Sequence, residues 1–164
     1  MEVRIRAARR ADGGRLIAAN LAARAFHAPW VAPFGTEAAF EAWWAGIEQG
    51  RRVALLVEAE GALAGVFNLN EIVRGGFQSA YLGYYGYPGF GGRGVMAQGL
   101  GLVLAEAFGP IGLHRVEANI QPGNARSIAL VKRAGFRLEG VSPRYLFIDG
   151  AWRDHERWAR LADE

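Results

Sequence analysis

The chain has 164 residues, 51% hydrophobic and 21% charged, with a formal net charge of +3. That length and apolar share suit a single packed domain over residues 1–164 and argue against disorder. There is no cysteine, which excludes disulfides, cysteine-ligated metal and a thiol nucleophile and suits a cytoplasmic protein.

Residues 3–7, VRIRA, alternate apolar and charged as a half-exposed strand does. Asp12 is placed to cap a helix through LIAANLAARAF, in which Leu16, Ile17, Leu21 and Phe26 recur at helical spacing. Pro29 and Pro33 then enclose an aromatic loop, HAPWVAPF. Thr36 opens a second helix, with Glu37 in its first turn and a face of Phe40, Trp43, Trp44 and Ile47; Gly50 ends it. From Val53 the period falls to two. VALLVEA and ALAGVFNLNEIV form a hairpin about Glu60–Gly61, and SAYLGYYGY is a third strand. A glycine loop leads into VMAQGLGLVLAEAF, apolar enough to lie as a helix against a sheet, and LHRVEANI is a strand. Asn124 caps the helix ARSIALVKRA, which Gly135 stops. RLEGV and RYLFIDGAWRDHERWARL supply the last strands, turning at Asp149–Gly150. The order β α α β β β α β α β β predicts a mixed α+β domain.

The stretch YYGYPGFGGRGVM, Tyr84 to Met96, gives up side chains between a strand and a helix. In that position free N–H groups and the helix dipole favour an anion, and missing side chains let a diphosphate come close. A ligand-free turn is one reading and a Rossmann loop is a second, since GxGxxG can be written from Gly89 to Gly94. The Rossmann loop needs a βαβ unit and an acidic residue closing the next strand. Here antiparallel-looking strands precede the loop, and Glu117 lies inside its strand. No GK[ST] is present, so a nucleotide P-loop is excluded.

A third reading draws on more of the chain, because NARSIALVKRAGF follows at Asn124 to Phe136. GxGGxG on a strand-to-helix turn, followed by NxxS…GF on the next helix, resembles the GNAT acetyltransferases, which bind acetyl-coenzyme A. GVFNLNEIVRGGFQSAYLGY, FGGRGVM, HRVEANIQPGNARS and YLFIDGAWRDH resemble stretches of the RimJ/RimL-type ribosomal-protein alanine N-acetyltransferases, over nearly the whole chain from Pro29–Trp30. The resemblance implies a GNAT fold: a mixed, mostly antiparallel central sheet of six to seven strands flanked by about four helices. It also implies acetyl-CoA as co-substrate. The main chain of Gly91, Gly92, Arg93, Gly94 and Val95 would hold it, with the strand backbone of Tyr84, Tyr85 and Gly86, and Asn124 and Ser127. One position departs from the family, whose first loop residue is usually basic or polar: here it is Gly89, expected to weaken coenzyme affinity modestly.

Acetyl transfer needs a neutral amine, a polarised carbonyl and a proton for the departing thiolate. The family implies direct attack without an acyl-enzyme, and the absence of cysteine agrees. Glu117 is the natural base, drawing the proton off through water; the competing reading pairs it with Arg115. Glu71 is a second candidate. Many family members carry a tyrosine one helical turn beyond Ser127, where Val131 stands here, so the acid falls to Ser127 or Tyr145. Their structural alternatives are a capping hydroxyl and a packed aromatic. His27, Trp30, Phe34, Arg74 and Tyr81 are expected to line the acceptor groove, with a core position the alternative for Trp30. An α-amine titrates near ~8 and a lysine amine near ~10.4, so a site without a strong base suits a protein N-terminus.

The acceptor is therefore expected to be a protein N-terminus, that of a ribosomal protein, or else a small amine. A GNAT-fold regulatory or assembly factor that binds coenzyme A without catalysis is the rival reading. The three histidines have no ligand spacing, so no metal is expected. Arginines form no run longer than two, so no nucleic acid is expected. No segment is apolar and long enough for a membrane, and residues 1–10 lack the apolar core of a secretory signal. A monomer or homodimer is expected.

Overall fold

Glu60 and Gly61 both take positive φ, 53° and 75°, the two-residue turn whose twist matches the strands it joins. They connect β2 (Val53–Ala59) to β3 (Ala62–Val73). The computed structural model describes residues 1–164. The other strands are β1 (Val3–Ala7), β4 (Ser79–Gly86), β5 (Arg115–Ile120), β6 (Arg137–Ile148) and β7 (Ala151–Leu161). The helices are α1 (Gly13–Ala22), α2 (Arg24–His27), α3 (Glu37–Glu48), α4 (Val95–Phe108) and α5 (Ala125–Arg133). All seven strands form one sheet in the order β1-β2-β3-β4-β5-β7-β6. Only β4 and β5 are parallel, joined by the crossover through α4. No helix is long and apolar enough to cross a membrane.

Strand alternation sends two sets of side chains to opposite faces. Phe67, Leu69, Leu82, Val116, Ala118 and Ile120 pack with Leu100, Val103 and Val131 beneath α4 and α5. Leu56, Val66, Tyr85 and Tyr87 pack with Leu16 beneath the N-terminal helices. Each fully buried aliphatic side chain contributes on the order of 1.5–3 kcal/mol. Gly99 lets α4 lie close to the sheet, since a Cβ there would come within 3.1–3.3 Å of Val57 and Phe67.

Two local readings are corrected. Asp12 does not cap α1 with its side chain. Its carboxylate instead takes both Nη atoms of Arg6 at 2.8 Å and the N–H of Arg9 at 2.7 Å, and Arg6 holds it below the usual carboxylate range. The first helix breaks at Ala23, so Leu16 is buried while Leu21 and Phe26 are exposed; periodicity cannot register a change of helix axis. RLEGV and RYLFI lie on one strand, β6, with register shifts at Leu138/Gly140 and Ser142/Leu146. Pro143 is tolerated because β6 is the sheet edge.

Candidate active site

Gly89, Gly92 and Gly94, between β4 and α4, take positive φ of 96°, 73° and 75°, a region side chains disfavour. A Cβ on Gly89 or Gly92 would meet nothing within 4 Å, so packing is not what keeps them bare. Gly94 is the N-cap of the 14-residue α4 and provides no capping side chain. No acceptor in the protein meets the N–H groups of Gly91, Gly92, Gly94, Val95, Met96 or Ala97. Free amides at the positive end of a helix suit a phosphate-class anion.

Arg93 departs from its expected role. Its N–H closes onto the Phe90 carbonyl at 3.4 Å, and its guanidinium pairs with Glu60 at 2.6 Å and lies over the Phe90 ring. It shapes the loop. The unpaired cation beside the loop is Arg126 on α5, whose Nη2 lies 3.5 Å from the Cβ position of Gly91. Nothing in the sequence separated Arg126 from the other arginines.

Strands β4 and β5 pair only from Ser79–Tyr81 to Arg115–Glu117 and then diverge, β4 staying on β3 and β5 on β7. Tyr84 projects from the wedge so formed to α5, where its hydroxyl hydrogen-bonds the Ser127 hydroxyl. Asn124 Oδ1 accepts the Ser127 N–H at 3.3 Å, capping α5. Burial pushes the Tyr84 phenol up to about 12, with Ser127 offsetting part of the rise, so it remains a proton donor near neutrality. Val131 is wholly buried in the core. The hydroxyl beside Ser127 therefore comes from a strand, which helix spacing could not have found.

On the opposite face, His27 is 4% exposed. Its Nε2 meets the Gly86 carbonyl at 2.8 Å, and Tyr85 and Tyr87 close around the ring. His27 therefore anchors the end of β4 instead of lining a groove, and the Gly86 carbonyl is already engaged. The Tyr87 hydroxyl donates to Asn20 Oδ1 at 2.6 Å, and Asn20 Nδ2 donates to the Phe34 carbonyl at 2.9 Å. Burial raises Tyr85 to about 12 and Tyr87 further. Side chains on this face lock the aromatic loop to β4.

Tyr81, Glu117 and Tyr145 come together on this second face. The Tyr81 phenol is held above its ordinary value by burial first, then by the nearby Glu117 and Tyr145. Tyr145 sits in a bulge of β6, where Arg144 takes φ 47° and its N–H donates to Asp154 Oδ1 at 2.8 Å. Glu117 is bound by Arg115 at 2.7 Å, and Arg115 also holds Glu139, so the ion pair anticipated from sequence forms. Glu71 pairs with Arg51 at 3.6 Å. Trp30 is 37% exposed, with its ring edge over Gly123 just before Asn124. Two groove assignments fail on position. Phe34 packs in an aromatic cluster with Phe40 and Trp43. Arg74 sits at the far end of β4, donating to Gln78 and to the Ile111 carbonyl at 2.8 Å.

The Acetyltransferase (GNAT) domain family matches residues 2–137. The chain belongs to the GNAT acetyltransferase family. A probable N-acetyltransferase of Bacillus subtilis, YjcK, is 35% identical over 107 residues, 65% of this chain and 59% of its own length. The ribosomal protein uS5-alanine N-acetyltransferase of Escherichia coli is 41% identical over 96 residues, 58% of this chain and 50% of its own length. This chain thus spans between half and three fifths of those two relatives. The structure of Mycobacterium smegmatis RimJ in complex with CoA-disulfide superposes with a TM-score of 0.88, at 29% identity, over 98% of this chain and 82% of that one. A seven-stranded, mostly antiparallel GNAT sheet with five helices, one of them the single turn α2, accords with the expected architecture.

Proposed function

We propose that this GNAT domain transfers an acetyl group from acetyl-CoA to an amine, the acceptor being the N-terminal alanine of a cytoplasmic ribosomal protein. The observation that carries the reading is the set of unpaired N–H groups from Gly91 to Ala97, Arg93 excepted, with Arg126 beside it, at the head of the β4–β5 wedge. The amides take the diphosphate of the coenzyme, and Arg126 supplies the cation that Gly89 lacks. The pantetheine arm follows the edge of β4 beyond Tyr81, where β5 no longer offers partners. Gly86 contributes its N–H alone, since His27 occupies its carbonyl.

The thioester then lies in the wedge, and the amine enters from the Tyr81 face. Its nitrogen attacks the carbonyl carbon, the C–S bond breaks, and Ser127 passes a proton to the thiolate with Tyr84 behind it. The nitrogen releases its proton to water next to Glu117. A weak base is enough for an α-amine: roughly a tenth of such groups are neutral at pH 7, against under ~0.1% of lysines. Glu117 and Glu71 are both engaged by arginines, leaving neither as a free carboxylate for a polyamine. This favours a peptide over a small polycation.

The test is to incubate the protein with acetyl-CoA and peptides beginning Ala or Ser, blocked versions of each, and spermidine, while measuring free thiol. Release with open N-termini alone is expected. Release with spermidine alone would replace the acceptor. Tight coenzyme binding without release from any acceptor would establish a non-catalytic binder.

A further inference from the structure

Arg157 lies on β7 with Asn119 of β5 on one side and Gly140 of β6 on the other. Residues directly opposite in a sheet project to one face, so Arg157 shares the acceptor face with Asn119, Glu117 and Tyr81. Its Nε is fully buried and has no hydrogen-bond partner. The guanidinium lies over Gly140, where a Cβ would sit 3.0 Å from Nη2, so the glycine clears the space it occupies.

Three other arginine side chains of this hairpin are engaged. Arg137 holds Glu139 and Glu164, Arg153 donates to the Ile148 and Asp149 carbonyls, and Arg160 donates to the Ala134 carbonyl. The acids around Arg157 are likewise committed: Glu117 and Glu139 to Arg115, Glu156 to Trp158, and Asp154 to the Arg144 amide. Arg157 as a whole is only half-buried, so its cationic head is open to an acceptor from outside the chain while its Nε finds none inside it.

We infer that Arg157 is an anion subsite selecting acceptors that carry a carboxylate a few residues from the reacting nitrogen; this rests on the reading of the acceptor as a protein N-terminus. The planar fork of a guanidinium matches a carboxylate with two parallel hydrogen bonds. Asn119 borders the wedge, and a guanidinium over Gly140 lies about two strand spacings away, roughly 10 Å. An extended peptide advances roughly 3.3 Å per residue, so the acid belongs on the second to fourth residue of the acceptor.

The test uses the coenzyme A-loaded protein and C-terminally amidated alanine peptides carrying Asp or, as the uncharged isostere, Asn at the second, third or fourth residue. Calorimetry should give at least about tenfold tighter binding of the Asp peptide at one position. The Asp-to-Asn ratio should fall close to one in Arg157→Gln and take an intermediate value in Arg157→Lys. In the wild-type protein it should shrink as salt is raised. An unchanged ratio in Arg157→Gln overturns the subsite; if that variant does not fold, an unchanged ratio in Arg157→Lys together with salt-independence does so. Thiol release is read separately. Arg157-dependent binding without turnover upholds the subsite and removes the catalytic reading, while turnover with no acid preference does the reverse. If no peptide binds, the subsite falls with the acceptor reading beneath it.

Discussion

Tyr84 and Ser127 stand on different elements, β4 and α5, yet their hydroxyls share a hydrogen bond across the wedge. The phenol also reaches the Ser127 carbonyl at 3.4 Å, and burial keeps it protonated. If the pair supplies the proton to the thiolate, Ser127→Ala should lower kcat about a hundredfold, within the range of general acid catalysis. Tyr84→Phe, which keeps the ring and removes only the hydroxyl, should cost about tenfold. Coenzyme affinity by calorimetry should change little in Tyr84→Phe. Unchanged kcat in both variants would take the acid role away from them.

The loop predicts a clean separation of binding from folding. Gly92 has open space around it but φ 73°, so Gly92→Val strains an exposed turn by about 1–2 kcal/mol and fills the path to the free amides. Coenzyme binding should be lost while the thermal midpoint moves only a few degrees. Arg126→Ala should weaken coenzyme binding about three- to tenfold, the range for an exposed charge-assisted contact. Its loss should reduce the salt dependence of binding.

Asp154 touches no part of the wedge, but it holds the bulge that aims Tyr145. In Asp154→Ala the Arg144 amide loses its acceptor, at a cost of about 1 kcal/mol, and Tyr145 is no longer held against Tyr81. The acceptor KM should rise while the coenzyme Kd stays the same. Identical steady-state constants would show that the bulge keeps its shape without Asp154.

Alkaline stability follows from the buried phenols. Burial pushes the Tyr84 and Tyr85 phenols up to about 12 in the fold, against an ordinary value of 10.0. Between those values the folded state holds protons that the unfolded state has released, so stability is complete below pH ~10 and falls as pH rises toward 12. That rise corresponds to about 2–3 kcal/mol per phenol. Chemical denaturation at pH 9 and pH 11.5 should show this loss, and Tyr84→Phe should flatten it.

Much of the frame was legible because its causes are local. The hairpin turn at Glu60–Gly61, the Thr36 and Asn124 caps, the bounds of α4 and the stop at Gly135 each depend on neighbouring residues. The bare loop was legible for the same reason. The misplacements all involve partners distant in sequence. His27 has ligand-like chemistry but ends under Tyr85 and Tyr87. Phe34 and Arg74 looked available until α3 and the end of α4 came against them. Arg126 and Arg157 were hidden among arginines of identical type, distinguished by lacking partners where they stand, beside the glycine loop and over Gly140.

Sequence by itself determined the elements, their order and the glycine-rich turn, since hydrophobic period, capping and glycine φ act over a few residues. Only the tertiary structure decided which hydroxyl joins Ser127, which carboxylates are already paired and which guanidinium is left without a counter-ion. The physical reason is register. Tyr84 and Ser127 are 43 positions apart, and they meet because β5 pairs with β7 while β4 keeps to β3, a choice made by the packing of the whole sheet.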